Sequence, residues 1–396
     1  MKKKVIGVKT DLIIKRAVKL SATSSFFLFG PRGSGKSTLV KSLPFLKKAL
    51  VIDLLRPNIE DLYRINPLQL EKEASALKPG EWIVIDEIQK IPKLLNLVHL
   101  LIEEKKIKFA LTGSSARKLK RGSANLLAGR AFNYHLYPFI QSELKEDFDL
   151  NHTLTWGSLP KILTLKSNKD KALFLESYVH TYLKEEIRME QLVRNIDPFQ
   201  LFLPIAAQMN GQLINYSNIA RDTGVSYKTI ETYFQILEET LLGFFLLPFN
   251  RSVRKVQKES PKFYFVDNGI KRALESRLRS PLLERTSDYG NAFESWFIFE
   301  CFARNQYLKK NYKFSFLRTK DDVEVDLIIQ KPNGVELLVE IKSTMKPQLK
   351  DIKNLNLLKD DFPGAQFFCV CQVENKQKWG HVHVVPWNEA FKAFGL

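Results

Sequence analysis

Gly30-Pro31-Arg32-Gly33-Ser34-Gly35-Lys36-Ser37-Thr38 constrains this chain more than any other stretch. It fits the spacing G-x-x-x-x-G-K-[ST]. The apolar run Phe26 to Phe29 precedes it and reads as a buried strand, and the run from Lys36 to Leu43 reads as a helix that stops near Pro44. Strand, glycine loop and helix in that order turn the spacing into a phosphate-binding loop. The glycines let backbone N–H groups close around an anion, and the helix N-terminus adds a favourable dipole. Gly30, Pro31, Arg32, Gly33, Ser34, Gly35, Lys36, Ser37 and Thr38 are therefore expected to hold ATP. Lys36 would reach the β- and γ-phosphates, and Ser37 would ligate Mg²⁺.

A second element supports the first. Trp82-Ile83-Val84-Ile85-Asp86-Glu87 reads as a buried strand ending in two carboxylates. Asp86 is placed to hold the magnesium, and Glu87 to orient or deprotonate an attacking water. A further strand candidate, Leu50 to Leu54, lies between the two motifs. A strand inserted between the phosphate loop and the Asp-Glu strand is the arrangement of ATPases that use a catalytic glutamate. Ile107 to Leu111 reads as another strand, followed by Thr112-Gly113-Ser114-Ser115. Ser114 is a candidate sensor of the γ-phosphate, although a plain turn with a helix cap suits the same residues. After a basic helix, Ala116 to Leu127, come Ala128-Gly129-Arg130 and a strand, Phe132 to Tyr137. Arg130 stands where ring-forming ATPases present an arginine finger to a neighbour, with Arg117 and Arg121 behind it. Such a finger neutralises charge in the transition state. A structural salt bridge or a DNA contact is the alternative role.

The chain has 396 residues, enough for two to four domains, and its 44% hydrophobic content is that of folded protein. Lys and Arg total 61 against 43 Asp and Glu, a formal charge of +18. An excess of that size favours an anionic partner, and DNA is the expected one. Cys301, Cys369 and Cys371 form no CxxC pair, which fits a reducing cytoplasm and buried packing. The most apolar run, Leu241 to Phe249, is far shorter than the ~20 residues of a membrane span, so no membrane is expected.

The middle of the chain reads as helices from Phe139 to Ile196, including Asp170 to Arg194. Arg188 there reads as part of an exposed face rather than a sensor. A short helix, Ser217 to Arg221, a turn at Gly224 and a second helix, Ser226 to Glu239, have helix-turn-helix spacing, with Ala220 packing closely and Val225 and Ile230 facing the core. Strand-like runs at Phe244 to Phe249 and Lys262 to Val266 flank Arg251, Arg254, Lys255 and Lys258 and look like a wing. Tyr227, Lys228 and Thr229, with those four cations, are the expected DNA contacts, suited to phosphates more than to base edges. A winged helix used for protein contact is the alternative.

In the last part, Gly290-Asn291-Ala292-Phe293-Glu294 opens an aromatic-rich helix. Val323 to Ile329 and Val335 to Glu340 flank Pro332-Asn333-Gly334, a strong hairpin signal. The hairpin sets Asp326 beside Glu340, with Lys342 two residues on, along the same strand face. The pattern resembles the PD-(D/E)xK nuclease fold, with Val325 where a proline often precedes the aspartate. The resemblance implies that Asp326 and Glu340 bind Mg²⁺ or Mn²⁺, that Lys342 positions or activates water, and that Glu294 completes the site. His381 and His383 alternate along a strand and read as ordinary strand residues.

The phrases GPRGSGKSTL, WIVIDEIQKIP, LTGSSARKL and LLAGRAFNYHLYPF resemble AAA+ ATPases. With SYVHTYLKEEI, GNAFESWF and VEVDLII they resemble more closely the prokaryotic ATPases in which an AAA domain precedes a domain of the DUF4143 type. The expected architecture is α/β multidomain: an AAA+ P-loop domain over 1–137, a helical lid or connector over 138–196, a winged helix over 197–270 and a PD-(D/E)xK-like domain over 271–396. The expected function is ATP hydrolysis that drives or gates DNA cleavage, in a cytoplasmic homo-oligomer, read as a ring of the hexameric kind. A DNA motor, or an ATP switch with a non-cleaving nuclease-like domain, is the rival.

Overall fold

The computed structural model describes residues 14–115, 127, 129–182, 196–249 and 260–396. The chain divides into two compact units. One comprises 1–147 with 159–164 and 236–242; the other comprises 148–158, 165–235 and 243–396.

The first unit is built on β1 (Ser25–Phe29), α1 (Lys36–Ser42), β2 (Leu50–Asp53), α2 (Pro57–Ile65), β3 (Trp82–Asp86), α3 (Leu94–Lys105), β4 (Lys108–Gly113) and β5 (Ala131–His135). The sheet order is β2-β3-β4-β1-β5 and every pairing is parallel. Parallel strands covered on both faces read as unbroken apolar runs. Accordingly, β1 and β3 are buried along their whole length. Phe27, Phe29, Ile83, Ile85 and Leu111 of the strands pack with Leu94, Val98 and Leu101 of α3. Each such side chain contributes roughly 1.5–3 kcal/mol.

One expectation is corrected here. The strand beginning at Leu50 is not inserted between the phosphate-loop strand and the Asp-Glu strand; it lies at the sheet edge beyond β3. The inserted strand is β4, which pairs with β1 on one side and β3 on the other. Sequence order did not reveal this, because strand order is set by crossovers, not by succession along the chain. The registers Phe29↔Gly113 and Ile85↔Leu111 bring the carboxyl ends of β1, β3 and β4 together.

The second unit contains α4 (Asn168–Ser177), α5 (Ile196–Gln208), α6 (Tyr216–Thr223), the part of α7 (Tyr227–Glu239) that precedes Ile236, β6 (Gly243–Pro248), β7 (Lys262–Phe265), α8 (Asn268–Leu274), α9 (Ser287–Leu308), β8 (Lys313–Arg318), β9 (Glu324–Gln330), β10 (Glu336–Ile341), β11 (Gln366–Cys371), β12 (Gln377–Trp379), β13 (Val382–Pro386) and α10 (Trp387–Phe394). The helix expected from Asp170 onward is α4, capped by Ser167, followed by a π-helical turn at Tyr178–Tyr182. Arg188 lies outside the described residues. Asn215 caps α6, and Gly224, at φ 69°, ends it in the left-handed conformation that glycine adopts without steric cost. Ala220 and Ile230 are buried as expected, whereas Val225 is only half-buried.

The strands form one eight-stranded sheet, β12-β13-β11-β10-β9-β8-β6-β7. β9 and β10 pair antiparallel from Gln330↔Glu336, around the Asn-Gly turn. β6 pairs antiparallel with β7, as a wing would, but then runs parallel to β8 through Leu247↔Ser315 and Pro248↔Phe316. The sheet therefore crosses residue 270, where a domain boundary was expected, without a break. Against it packs α9, buried nearly all round, with Phe302 stacked on Phe244 at 4.1 Å and Phe297 on Phe391 at 4.9 Å. Cys301, Cys369 and Cys371 are buried and free. His381 and His383 lie against the rings of Phe367 and Phe368.

Candidate functional site

At the carboxyl end of the five-stranded sheet the phosphate loop is held from several sides. Gly30 has no room for a side chain: a Cβ there would come 2.3 Å from the Leu136 carbonyl oxygen. Gly35, at φ 94°, takes the left-handed conformation at the start of α1. Lys36, almost fully buried, donates from Nζ to the Gly30 and Pro31 carbonyls at 2.7 and 3.3 Å, closing the loop over the space between. Arg32, Gly33 and Thr38 are exposed, and the hydroxyl of Ser34 is buried with no partner. Arg16, which sequence reasoning missed, donates to the Ser34 carbonyl at 2.9 Å, the Tyr137 carbonyl at 2.5 Å and Glu143 Oε1 at 3.0 Å. Its guanidinium lies 4.3 Å from the Phe139 ring centroid. The buried pair ties the loop to the segment after β5.

Ser37 donates to Asp86 Oδ2 at 2.7 Å, so the two residues expected to share a magnesium already meet. Thr112 donates to Asp86 Oδ1 and accepts from the Glu87 backbone N–H at 3.2 Å. Glu87 has φ 61° and ψ 48°, a left-handed conformation that costs a non-glycine residue about 1 kcal/mol or more and gathers at functional sites. Gln89 donates from Nε2 both to Glu87 Oε2 and to Ser114 Oγ, the latter at 3.1 Å. Ser114 is thus joined to Glu87 through a carboxamide. Gln89 Oε1 is buried without a partner, directly against Gly113, where a Cβ would come within 2.5 Å. Thr112 and Gln89 were missed as site residues. Their signal was present, since both flank predicted site residues at strand ends.

Arg130 is placed differently. It precedes the first residue of β5, whose register with β1 begins at Ser25↔Ala131, while the phosphate loop follows the other end at Phe29↔His135. Its guanidinium pairs with Glu103 of α3, and that contact holds the Glu103 carboxyl below its usual range. Within its own chain Arg130 therefore makes the salt bridge that was the alternative to a finger. Arg117 and Arg121 lie outside the described residues.

The second unit gathers a cluster of charges. Asp326 on β9 and Glu340 on β10 are both buried. Asp326 Oδ2 accepts the Ile341 backbone N–H at 2.7 Å. Glu340 Oε1 accepts from Lys342 Nζ at 2.5 Å, and Glu340 Oε2 is buried with no hydrogen bond. Glu294 of α9 accepts from the buried Tyr264 hydroxyl at 2.8 Å. Glu324 accepts from the buried Lys262 Nζ at 2.5 Å. Sequence reading brought Glu294, Asp326, Glu340 and Lys342 together and missed Lys262, Tyr264 and Glu324. The first two lie on β7, assigned by sequence to a wing.

The electrostatics follow from burial and mutual charge. Burial pushes the Glu340 carboxyl up to about 8, with the charge of Asp326 adding to the effect and Lys342 opposing it. Burial likewise pushes Glu294 up to about 7, reinforced by Asp326 and opposed by Lys262. For Lys342 burial disfavours the ammonium, but Asp326 and Glu340 outweigh it and keep the proton on. Lys262 is held protonated in the same way by Glu294, Glu324 and Asp326. Among the described residues no three His, Cys, Asp or Glu side chains converge closely enough to hold a metal by themselves.

Of the expected DNA contacts, Tyr227 and Lys228 are exposed at the start of α7, and Thr229 is half-buried with its hydroxyl 2.8 Å from that of Ser226. Arg251, Arg254, Lys255 and Lys258 lie outside the described residues. Among the described residues no helix is long and apolar enough to cross a membrane.

Residues 23–145 match the model of an AAA domain, residues 147–281 a domain of unknown function (DUF8612) and residues 289–390 a domain of unknown function (DUF4143). The chain is similar to an uncharacterized protein of Mycobacterium tuberculosis, 26% identical over 86% of this chain and 77% of that one. It is also similar to uncharacterized proteins of Methanocaldococcus jannaschii, 22% identical over 91% of this chain and 83% of the other, and of Haemophilus influenzae, 22% identical over 71% and 70%. Among solved structures, the ORC2 protein of Aeropyrum pernix, in ADPNP–ADP complexes, matches with a TM-score of 0.34 and 13% identity over 65% of this chain and 87% of that chain. The ORC1 protein of the same organism, in complex with DNA, matches with a TM-score of 0.25 and 13% identity over 64% and 86%.

Proposed function

We propose that this chain is an AAA+ ATPase that couples ATP binding and hydrolysis to DNA binding and to divalent-cation-dependent DNA cleavage in its second unit. The observation that carries the ATPase reading is the convergence of Lys36, Ser37, Asp86, Glu87 and Ser114 at the carboxyl ends of three adjacent parallel strands. ATP is the substrate there, with Lys36 exchanging its bonds to its own loop for phosphate oxygens. Mg²⁺ would be held by Ser37 and, through water, Asp86, and supplies charge neutralisation at the phosphates. Glu87 orients the attacking water and takes its proton, and Gln89 and Ser114 fix where the Glu87 carboxylate points.

The cleavage reading rests on Asp326, Glu340 and Lys342. The buried Glu340 Oε2, with no hydrogen bond, sits beside Asp326, so the two present hard oxygen donors of the kind Mg²⁺ or Mn²⁺ takes. Asp326 and Glu340 are the residues that would hold such a cation, which is commonly bound through one or two protein carboxylates together with substrate phosphate. Bound there, the cation supplies Lewis-acid activation. Lys342 supports negative charge developing at phosphorus, and Tyr264 keeps Glu294 oriented. This arrangement resembles a PD-(D/E)xK site, which supports the cleavage reading, and α6, α7 and the β6–β7 hairpin fit a winged helix whose sheet is shared with it. DNA is the partner of choice because the net charge is +18, and a cytoplasmic location fits the cysteine usage. An arginine finger from a neighbouring copy would require Arg130 to leave Glu103, so size exclusion with and without ATP tests for the ring.

The deciding experiment incubates the protein with linear, single-stranded and branched DNA, Mg²⁺ or Mn²⁺, and with or without ATP, beside an Asp326→Ala/Glu340→Ala variant. Cleavage lost in the variant is expected. ATP turnover without cleavage on any substrate would overturn the nuclease reading in favour of a DNA motor or an ATP switch.

A further inference from the structure

Lys262 has no assigned role, and its surroundings are unusual. It lies on β7 and is 4% exposed, yet it carries a cationic group. Its Nζ is 2.5 Å from Glu324 Oε1, within the field of Glu294 and Asp326, and 5.1 Å from the Phe316 ring centroid. An ammonium is retained in so dry a place only when opposite charges compensate its lost hydration. Here three carboxylates do so, and one of them, Asp326, also faces Glu340.

The cluster thus has two places for positive charge. One lies among Glu294, Glu324 and Asp326 and is filled by the Lys262 ammonium. The other is bounded by Asp326 and Glu340, whose Oε2 has no hydrogen bond. Glu294, Glu324, Asp326 and Glu340 bring four negative charges when ionised, and Lys262 and Lys342 return two positive ones, leaving a deficit that a single divalent cation cancels. A second divalent ion would have to settle beside an ammonium.

We propose, on the reading above that this cluster binds a divalent cation, that it takes one such ion, on Asp326 and Glu340, and that Lys262 occupies the place where a second would sit. Lys262 is then a positioning residue that sets the number of ions the site accepts. It also gives a reason for the β6–β7 hairpin to share the sheet: β7 delivers the built-in cation.

The test is the stoichiometry of Mn²⁺ binding, read from the free Mn²⁺ spectrum by electron paramagnetic resonance. The full chain is used without nucleotide and carries Asp86→Asn to silence the phosphate-loop cation site. One Mn²⁺ per chain is expected, two in the Lys262→Gln variant, and one again in Lys262→Arg, which restores the charge. Two ions in the chain that keeps Lys262, a result that needs no further variant to fold, would overturn the proposal while leaving the site a cation site. One ion in a folded Lys262→Gln chain would overturn it as well. Adding Glu340→Gln to the chain that keeps Lys262 should reduce one ion to none. No ion at all before that change, or an ion that survives it, would refute the underlying reading of the cluster instead.

Discussion

Replacing Glu340 by glutamine should stabilise the second unit at pH 8 and do little at pH 5. The Glu340 carboxyl is pushed up to about 8, mainly by burial and then by the charge of Asp326. An unfolded glutamate titrates near ~4.3. A carboxyl raised in the folded state contributes stability that is fully present below its unfolded pKa and is lost as pH rises through its folded one. At ~1.4 kcal/mol per tenfold, the loss accumulated by pH 8 is at most roughly 5 kcal/mol, against about 1 kcal/mol at pH 5. Glutamine keeps the shape and never ionises. It gives up the ion pair with Lys342, which is partly exposed and can be solvated, so about 2 kcal/mol of net gain at pH 8 is the working expectation. For a unit of this size that is a rise of about 4–8 °C in Tm. Differential scanning calorimetry at pH 5 and pH 8 on metal-free protein measures it. A fall in Tm at pH 8, or an equal rise at both pH values, would show that the Glu340 carboxylate is not strained by burial. Added Mn²⁺ should raise the Tm of the natural chain at pH 8 and leave the variant unmoved.

Glu87→Gln should keep ATP affinity within a few-fold and lower the rate of hydrolysis by about 10²–10⁴, the usual share of a general base; loss of binding in a filter assay would contradict that role. Gly113→Ala places a methyl where Gln89 Oε1 now lies. It should displace the carboxamide and reduce turnover by more than its expected destabilisation of about 1–3 kcal/mol explains, as steady-state ATPase assays beside urea melts would show. His152 is driven down to about 4 by burial and then by Lys171, whose Nζ lies 2.8 Å from His152 Nε2. A histidine kept neutral in the fold contributes stability present above its unfolded pKa and lost as pH falls through 6.5 toward 4. Between pH 7 and pH 5 the natural chain should lose about 2 kcal/mol more than a His152→Gln variant in urea unfolding; parallel losses would refute it. Truncating Arg251, Arg254, Lys255 and Lys258 together should flatten the log–log salt dependence of DNA binding by about 3–4, and an unchanged slope would remove that segment from the interface.

The phosphate loop and the Asp86-Glu87 strand end were legible because their chemistry is local. Strand, loop and helix follow one another within a few residues, and backbone N–H groups converge wherever that succession folds. The Asn-Gly turn likewise set the register that lays Asp326 beside Glu340, since a two-sided hairpin leaves little choice of pairing. What the chain order could not convey is which distant segments become neighbours. β4 entered the sheet between β1 and β3 through a crossover, and that alone brought Thr112 to Asp86 and Ser114 to Gln89. Arg16 reached the phosphate loop from 18 residues away, and Glu143 reached Arg16 across 127. Lys262 and Tyr264 read as two letters of an apolar strand with no chemistry in view. Only the pairing of β6 with both β7 and β8 carried them to the carboxylates. Sequence by itself determined the residue types and their short-range geometry, because those depend on backbone periodicity and turn chemistry. The charge balance of the buried cluster was decided by tertiary structure, because burial and Coulombic neighbours exist only once the sheet has closed.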